Sequence, residues 1–167
     1  DTEAKLAVKA AVEHDGPVYL RFGRLAVPVI FGDDYKFEIG KGVELGEGTD
    51  VTIIATGLMV GAAITARELL KNEGISARLI NMPTIKPIDK EIICKAANET
   101  GCIVTTEEHN IIGGLGSAVA ETVTGCCPVP VVRHGVEDVF GRSGPALQLL
   151  DLYGLNAEGI VAKAKRF

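Results

Sequence analysis

Asp50-Val51-Thr52-Ile53-Ile54-Ala55-Thr56-Gly57 opens the regular part of this chain. Val51–Ala55 is an almost unbroken β-branched run without polar alternation, the pattern of a strand buried on both faces. Gly57 ends it. From Leu58 to Asn72 apolar residues fall at helical spacing (Ile64, Leu69, Leu70), and Gly74 marks the stop. The same rhythm continues downstream. Ser76–Asn81 reads as a second strand, Ile88–Asn98 as a helix with Pro87 in its first turn, and Cys102–Thr106 as a third strand. Leu115–Val123 reads as a helix and Val129–Val132 as a fourth strand. Pro145–Leu152 and Ala157–Lys165 read as two closing helices, with Ser143 placed to cap the first. Alternation of this kind predicts a parallel sheet covered by helices on both faces, with right-handed crossovers.

Upstream of Asp50 the pattern changes. Thr2–Glu13 carries the apolar positions of a buried helix, Asp15-Gly16-Pro17 breaks it, and Val18–Phe22 reads as a strand. From Gly23 to Gly48 periodicity fades among Pro28, Gly32, Gly40, Gly42 and Gly46, with one short strand near Gly42–Leu45 suited to an antiparallel edge. So long an irregular stretch argues against a place inside one compact domain and for a linker. The expected division is residues 1–24 as the end of a domain that is mostly missing, 25–48 as linker, and 49–167 as the α/β domain. An orphan strand leaves backbone groups unpaired, so Val18–Phe22 is expected to be loose or repacked.

Composition narrows the functional classes. A formal charge of -5 and only 5% aromatic residues argue against nucleic acid and anionic membranes as partners. No apolar run is long enough to span a bilayer. The cysteines, Cys94, Cys102, Cys126 and Cys127, lack the spacing of a zinc or redox motif, which suggests reduced thiols in a cytoplasmic protein.

The segment Glu107-Glu108-His109-Asn110-Ile111-Ile112-Gly113-Gly114-Leu115-Gly116-Ser117 carries the most chemistry. It reads as lying just beyond a strand's carboxyl end, where open α/β sheets place their sites. Its glycines permit sharp turns, and the helix that follows offers free N–H groups to an anion. Glu108, His109, Gly113, Gly114, Gly116 and Ser117 are therefore candidates for an anion-binding or interface turn. The other reading is a tight strand-to-helix turn whose acids cap the helix or meet a neighbouring domain. A dinucleotide fingerprint is incomplete, since Gly114 and Gly116 are followed by Val119 where a third glycine belongs. Arg21 and Arg24 flank Phe22-Gly23, and an arginine there suits forked binding of a phosphate or a surface ion pair. His14 and His134 are isolated in sequence and read as surface or interface residues rather than ligands.

Several of these stretches together resemble the transketolase family. Gly16-Pro17-Val18-Tyr19-Leu20-Arg21-Phe22-Gly23-Arg24 is similar to the end of its pyrimidine-binding domain. Asp50–Gly57 is similar to the first central strand of its C-terminal domain, and Glu107-Glu108-His109 with Gly113-Gly114-Leu115-Gly116-Ser117 resembles its signature turn. Asp138-Val139-Phe140-Gly141-Arg142-Ser143-Gly144, Leu149-Leu150 and Gly154-Leu155 resemble its closing segment. The likeness covers essentially the whole chain and is nearest to the C-terminal subunit of split transketolases.

The resemblance implies a three-layer α/β/α sandwich around a mostly parallel five-stranded sheet with one antiparallel edge strand. It implies a ketol transferase acting on sugar phosphates with thiamine diphosphate and magnesium, both bound by domains absent from this chain, so that the fragment is inactive alone. It carries Arg24 over as the arginine that binds the sugar phosphate and assigns no catalytic residue. The implied partners are an N-terminal transketolase subunit and a second copy in a homodimer. Two related readings stay open: the C-terminal domain of a 1-deoxyxylulose-5-phosphate synthase or of a 2-oxo acid dehydrogenase beta subunit. A free-standing nucleotide- or anion-binding module is the third.

Overall fold

All five residues from Val51 to Ala55 are buried in the computed structural model, which describes residues 1–167. A strand with no wet face needs cover on both sides, and the rest of the chain supplies it. The elements are α1 (Thr2–Glu13), β1 (Val43–Gly46), β2 (Val51–Ala55), α2 (Met59–Asn72), β3 (Ala77–Asn81), α3 (Lys90–Thr100), β4 (Ile103–Asn110), α4 (Leu115–Cys126), β5 (Val131–Val136), α5 (Ala146–Leu152) and α6 (Ala157–Ala164). The strands form one sheet in the order β1-β3-β2-β4-β5. β1 runs antiparallel to β3, and every other pairing is parallel.

Alternation along β2 divides the core. Val51, Ile53 and Ala55 face a cluster containing Met59, Ala63, Ala66 and Leu70 of α2 and Ile160 and Ala164 of α6. Ile54 faces the other side, against Ile93, Ala96 and Ala97 of α3 and Leu115, Val119 and Val123 of α4. This is the three-layer α/β/α sandwich expected. The chain leaves β2 for β3 on one side. It then crosses back through α3 to β4 on the other side. The crevice where β2 and β4 diverge, at their carboxyl ends, is where open α/β sheets take ligands.

Several local expectations need correction. Val18–Phe22 pairs with no strand, and its side chains are exposed, because no neighbouring edge offers it hydrogen bonds. Pro87 precedes α3 rather than entering its first turn. Asp89 is the cap, accepting the Ile92 N–H at 3.2 Å and also the Gly42 N–H at 3.0 Å. Ser143 does not cap α5, where Pro145 holds the cap position. The thiols are not all reduced: Cys94 on α3 and Cys126 at the end of α4 form a disulfide, with Cα atoms 6.1 Å apart. Two helices packed side by side on one sheet face bring together residues 32 apart in sequence. Cys102 and Cys127 remain free.

The first helix is docked onto the sheet. Glu3 Oε1 accepts hydrogen bonds from Asn81 Nδ2 at 2.7 Å and from the Tyr35 hydroxyl at 2.9 Å. The Thr2 hydroxyl donates to the Phe31 carbonyl, and the Phe31 and Tyr35 rings stack 3.8 Å apart. Burial, then the adjacent Glu3 charge, hold the Tyr35 phenol above its ordinary pKa.

Candidate functional site

β4 runs further than its apolar run suggests. After an irregularity beyond Thr106, Asn110 pairs with Val136, so Glu107, Glu108 and His109 belong to the strand and do not lie beyond it. Alternation sends Glu107 and Glu108 to opposite faces. Glu107 is buried, only 3% exposed, and turns toward α4. Its carboxylate accepts the Leu115 N–H at 2.7 Å and the Gly116 N–H at 2.8 Å. Negative charge there also complements the positive end of the helix dipole. Gly114 is glycine because any Cβ at that position would overlap the Glu107 carboxylate.

The rest of the turn closes on itself. The Gly113 N–H donates to Ser117 Oγ at 2.9 Å, and Gly113 itself has φ +79°, a conformation glycine reaches without strain. The Ile112 N–H donates to Asn110 Oδ1 at 2.8 Å. Arg133 Nη1 donates to the Ile111 carbonyl at 3.0 Å. At the start of α4 the Leu115 and Gly116 N–H groups are thus engaged by Glu107, and the Gly113 N–H by Ser117. His109 is exposed, and its Nδ1 lies 2.9 Å from the Asn110 carbonyl, to which it can only donate.

Glu108 is half-buried on the opposite face. It lines a cavity of about 300 Å³ together with Arg24, Leu58 from the start of α2, Val136 from β5 and Leu149 from α5. Arg24 is exposed at the same cavity. Two residues singled out separately in the sequence thus share one crevice, beside the point where β2 and β4 diverge. Arg21 is exposed and does not line it.

His134, expected as a surface or interface residue from its isolation in sequence, is instead packed inside this chain. It is 3% exposed and lies opposite Thr106 in the β4–β5 register. Its Nε2 donates to the Gly154 carbonyl at 2.8 Å, which leaves Nδ1 to accept from the Thr106 hydroxyl at 2.9 Å. Burial pushes its pKa down, partly opposed by the Gly154 hydrogen bond. Nothing in the local sequence marks this role, because it depends on strand register. No group of three or more His, Cys, Asp or Glu residues is placed to hold a metal ion. No helix is long and apolar enough to cross a membrane.

This doubly wound sandwich, with a glycine-rich turn closed by an internal carboxylate and an arginine at its carboxyl edge, belongs to a defined class of α/β domain. Residues 40–160 match the family model of the transketolase C-terminal domain, and the chain belongs to that family. A 6-deoxy-6-sulfo-D-fructose transketolase subunit from a Clostridium species is 44% identical over 162 residues, covering 97% of this chain and 50% of the relative. One of the apulose-4-phosphate transketolase subunits of Phocaeicola vulgatus is 45% identical over 166 residues, covering 99% of this chain and 53% of the relative. A solved split gene transketolase, described as an inactive beta4 tetramer, superposes with a TM-score of 0.95 at 49% identity, covering 99% of this chain and 54% of that one. The chain therefore spans about half the length of each of these three proteins.

Proposed function

We propose that this chain is the C-terminal section of a split transketolase that moves a two-carbon ketol unit between sugar phosphates. The observation that carries the reading is 44% and 45% identity, over nearly the whole chain, to subunits that are themselves named as transketolase parts. In this reading residues 1–24 end the preceding domain, 25–48 link it, and 49–167 form the C-terminal domain.

Thiamine diphosphate with magnesium supplies the carbanion chemistry when bound. The residues present here do not fit that group. The glycine-flanked start of α4 is the natural place for a diphosphate, but Glu107 already fills it, and a second anion there would meet like charge. The cofactor is thus assigned to the remainder of the enzyme, and this chain alone is inactive. An N-terminal subunit and further copies of this section complete the assembly.

Arg24 is the substrate contact. A guanidinium at the carboxyl edge offers a fork of N–H donors to the phosphate of a sugar substrate. The test uses the full-length protein with its partner subunit. Arg24→Ala should raise KM for the phosphorylated sugar by about 10–100-fold, as loss of charge-assisted hydrogen bonds does, while thiamine diphosphate affinity is kept. An unchanged KM removes Arg24 from the site. Ketol transfer, or saturable thiamine diphosphate binding, by the 167-residue chain alone would overturn the assignment of the cofactor elsewhere.

A further inference from the structure

Cys94 and Cys126 join α3 to α4 outside the packed interior of that layer. Ile93, Ala96 and Ala97 on α3 and Leu115, Val119 and Val123 on α4 form the buried cluster, to which neither bridged cysteine belongs. Cys126 is exposed and Cys94 is half-buried. From this placement we propose that the bridge is a reversible thiol–disulfide exchange site. A small thiol reductant opens it in the folded protein by attack at Cys126, and opening loosens the last turn of α4.

Exchange needs a path for the attacking thiolate, and exposed bridges are the labile ones. Cys126 ends α4 among exposed neighbours, Thr124, Gly125 and Pro128, and a Cβ added at Gly125 would meet no atom within 4 Å. The fold itself supplies reversibility. α3 and α4 lie side by side through their buried apolar residues, so the two sulfurs stay close after the bridge opens. The tether acts on one short piece of helix. Val123 is the last buried residue of α4, and Thr124, Gly125 and Cys126 beyond it are exposed. Cys127 follows, half-buried and free, with its N–H donating to the Val123 carbonyl at 3.0 Å. The step balances. A thiolate of the reductant bonds to Cys126 Sγ, the bond between the two cysteine sulfurs breaks, and Cys94 leaves as a thiolate that takes up a proton. A second reductant thiol then attacks the first in the mixed disulfide and releases Cys126. Two reductant thiols become one disulfide, and the protein gains two electrons and two protons as two thiols.

The experiment incubates the full-length protein with its partner subunit in buffers of reduced or oxidised glutathione. Circular dichroism follows folding, and alkylation followed by peptide mass spectrometry reads Cys94 and Cys126 separately from every other thiol. Both should be bridged in oxidised glutathione and become free in excess reduced glutathione while the protein stays folded. Return to oxidised glutathione should close the bridge again. Amide exchange at Thr124, Gly125 and Cys126 should quicken by about 5–10-fold on reduction, with the Leu115 and Gly116 amides unchanged, since local opening is confined to the untethered turn. Cys126→Ser should show the faster exchange in both buffers, and Cys94→Ser serves the same comparison should the first variant fold poorly. A bridge that resists reduced glutathione until the protein unfolds is purely structural and overturns the proposal. So does a pair found free in oxidised glutathione, or a bridge that opens once and does not re-form. Equal exchange at the last turn of α4 in both buffers overturns the coupling to that helix.

Discussion

Glu107 and His134 are buried polar side chains in the carboxyl half of the sheet. Glu107 ties the end of β4 to the start of α4 through two backbone N–H groups. Glu107→Ala should destabilise the fold by about 3 kcal/mol, since each hydrogen bond to a charged group contributes about 1.5–3 kcal/mol and both donors are left unpaired. Gly114→Ala should act in the same direction by displacing the carboxylate. Urea denaturation of both variants measures the effect, and wild-type midpoints would show that Glu107 is not the cap. His134 gives a pH signature. Its folded pKa is lowered below the ordinary 6.5 by burial, so the folded state prefers the neutral ring. The stabilisation is fully present above pH 6.5 and is lost as pH falls below that value, because the unfolded chain binds the proton more readily. Thermal midpoints should be level from about pH 7 to 8 and decline on acidification, and the decline should shrink in His134→Gln. An equal decline in the variant would assign the acid sensitivity to other groups.

At the scale of elements, the disulfide is the feature that the cysteine spacing hid. α3 and α4 cover one sheet face side by side, and Cys94 to Cys126 joins them. Titration of the unreduced, unfolded protein should count two free thiols, Cys102 and Cys127, rather than four. A crosslink of this sequence separation should stabilise by about 3–4 kcal/mol through loss of unfolded-chain entropy, so Cys94→Ser should lower stability by that order. Four titratable thiols would mean that the bridge does not form in solution. Of the two free cysteines, Cys102 is buried, and burial raises its pKa, with Asp50 adding to the effect. That makes it a poor nucleophile, in keeping with a packing role. The boundaries of β4 and α3 shifted for a shared reason. Elements end where their hydrogen bonds end, and those bonds go to Val136 for β4 and to Asp89 for α3.

For the whole molecule, the docking of α1 matters most, because it ties the N-terminal helix to the α/β sheet. Glu3 receives Asn81 Nδ2 and the Tyr35 hydroxyl, and Asn81 is fully buried. Glu3→Ala should lower stability by about 2 kcal/mol, the cost of leaving buried donors without a charged acceptor. Amide exchange across Thr2–Glu13 should quicken with it, and unchanged protection would show that other contacts hold the helix. Much of this architecture was legible beforehand. The β-branched run at Val51–Ala55, the glycine stops and the helical spacing that follows specify a parallel α/β sheet, since burial on both faces and the two side-chain periods act locally along the chain. The short antiparallel edge strand and the glycine-rich turn were visible for the same reason. What the sequence could not decide were the meetings of residues far apart: Cys94 with Cys126, His134 with Thr106 and Gly154, Glu3 with Asn81, and Arg24 with Glu108 around one cavity. Local propensity carries no information about register or about which helices lie side by side. Those relations exist only once the sheet has closed and its helices have packed, so only the tertiary structure brought these side chains together.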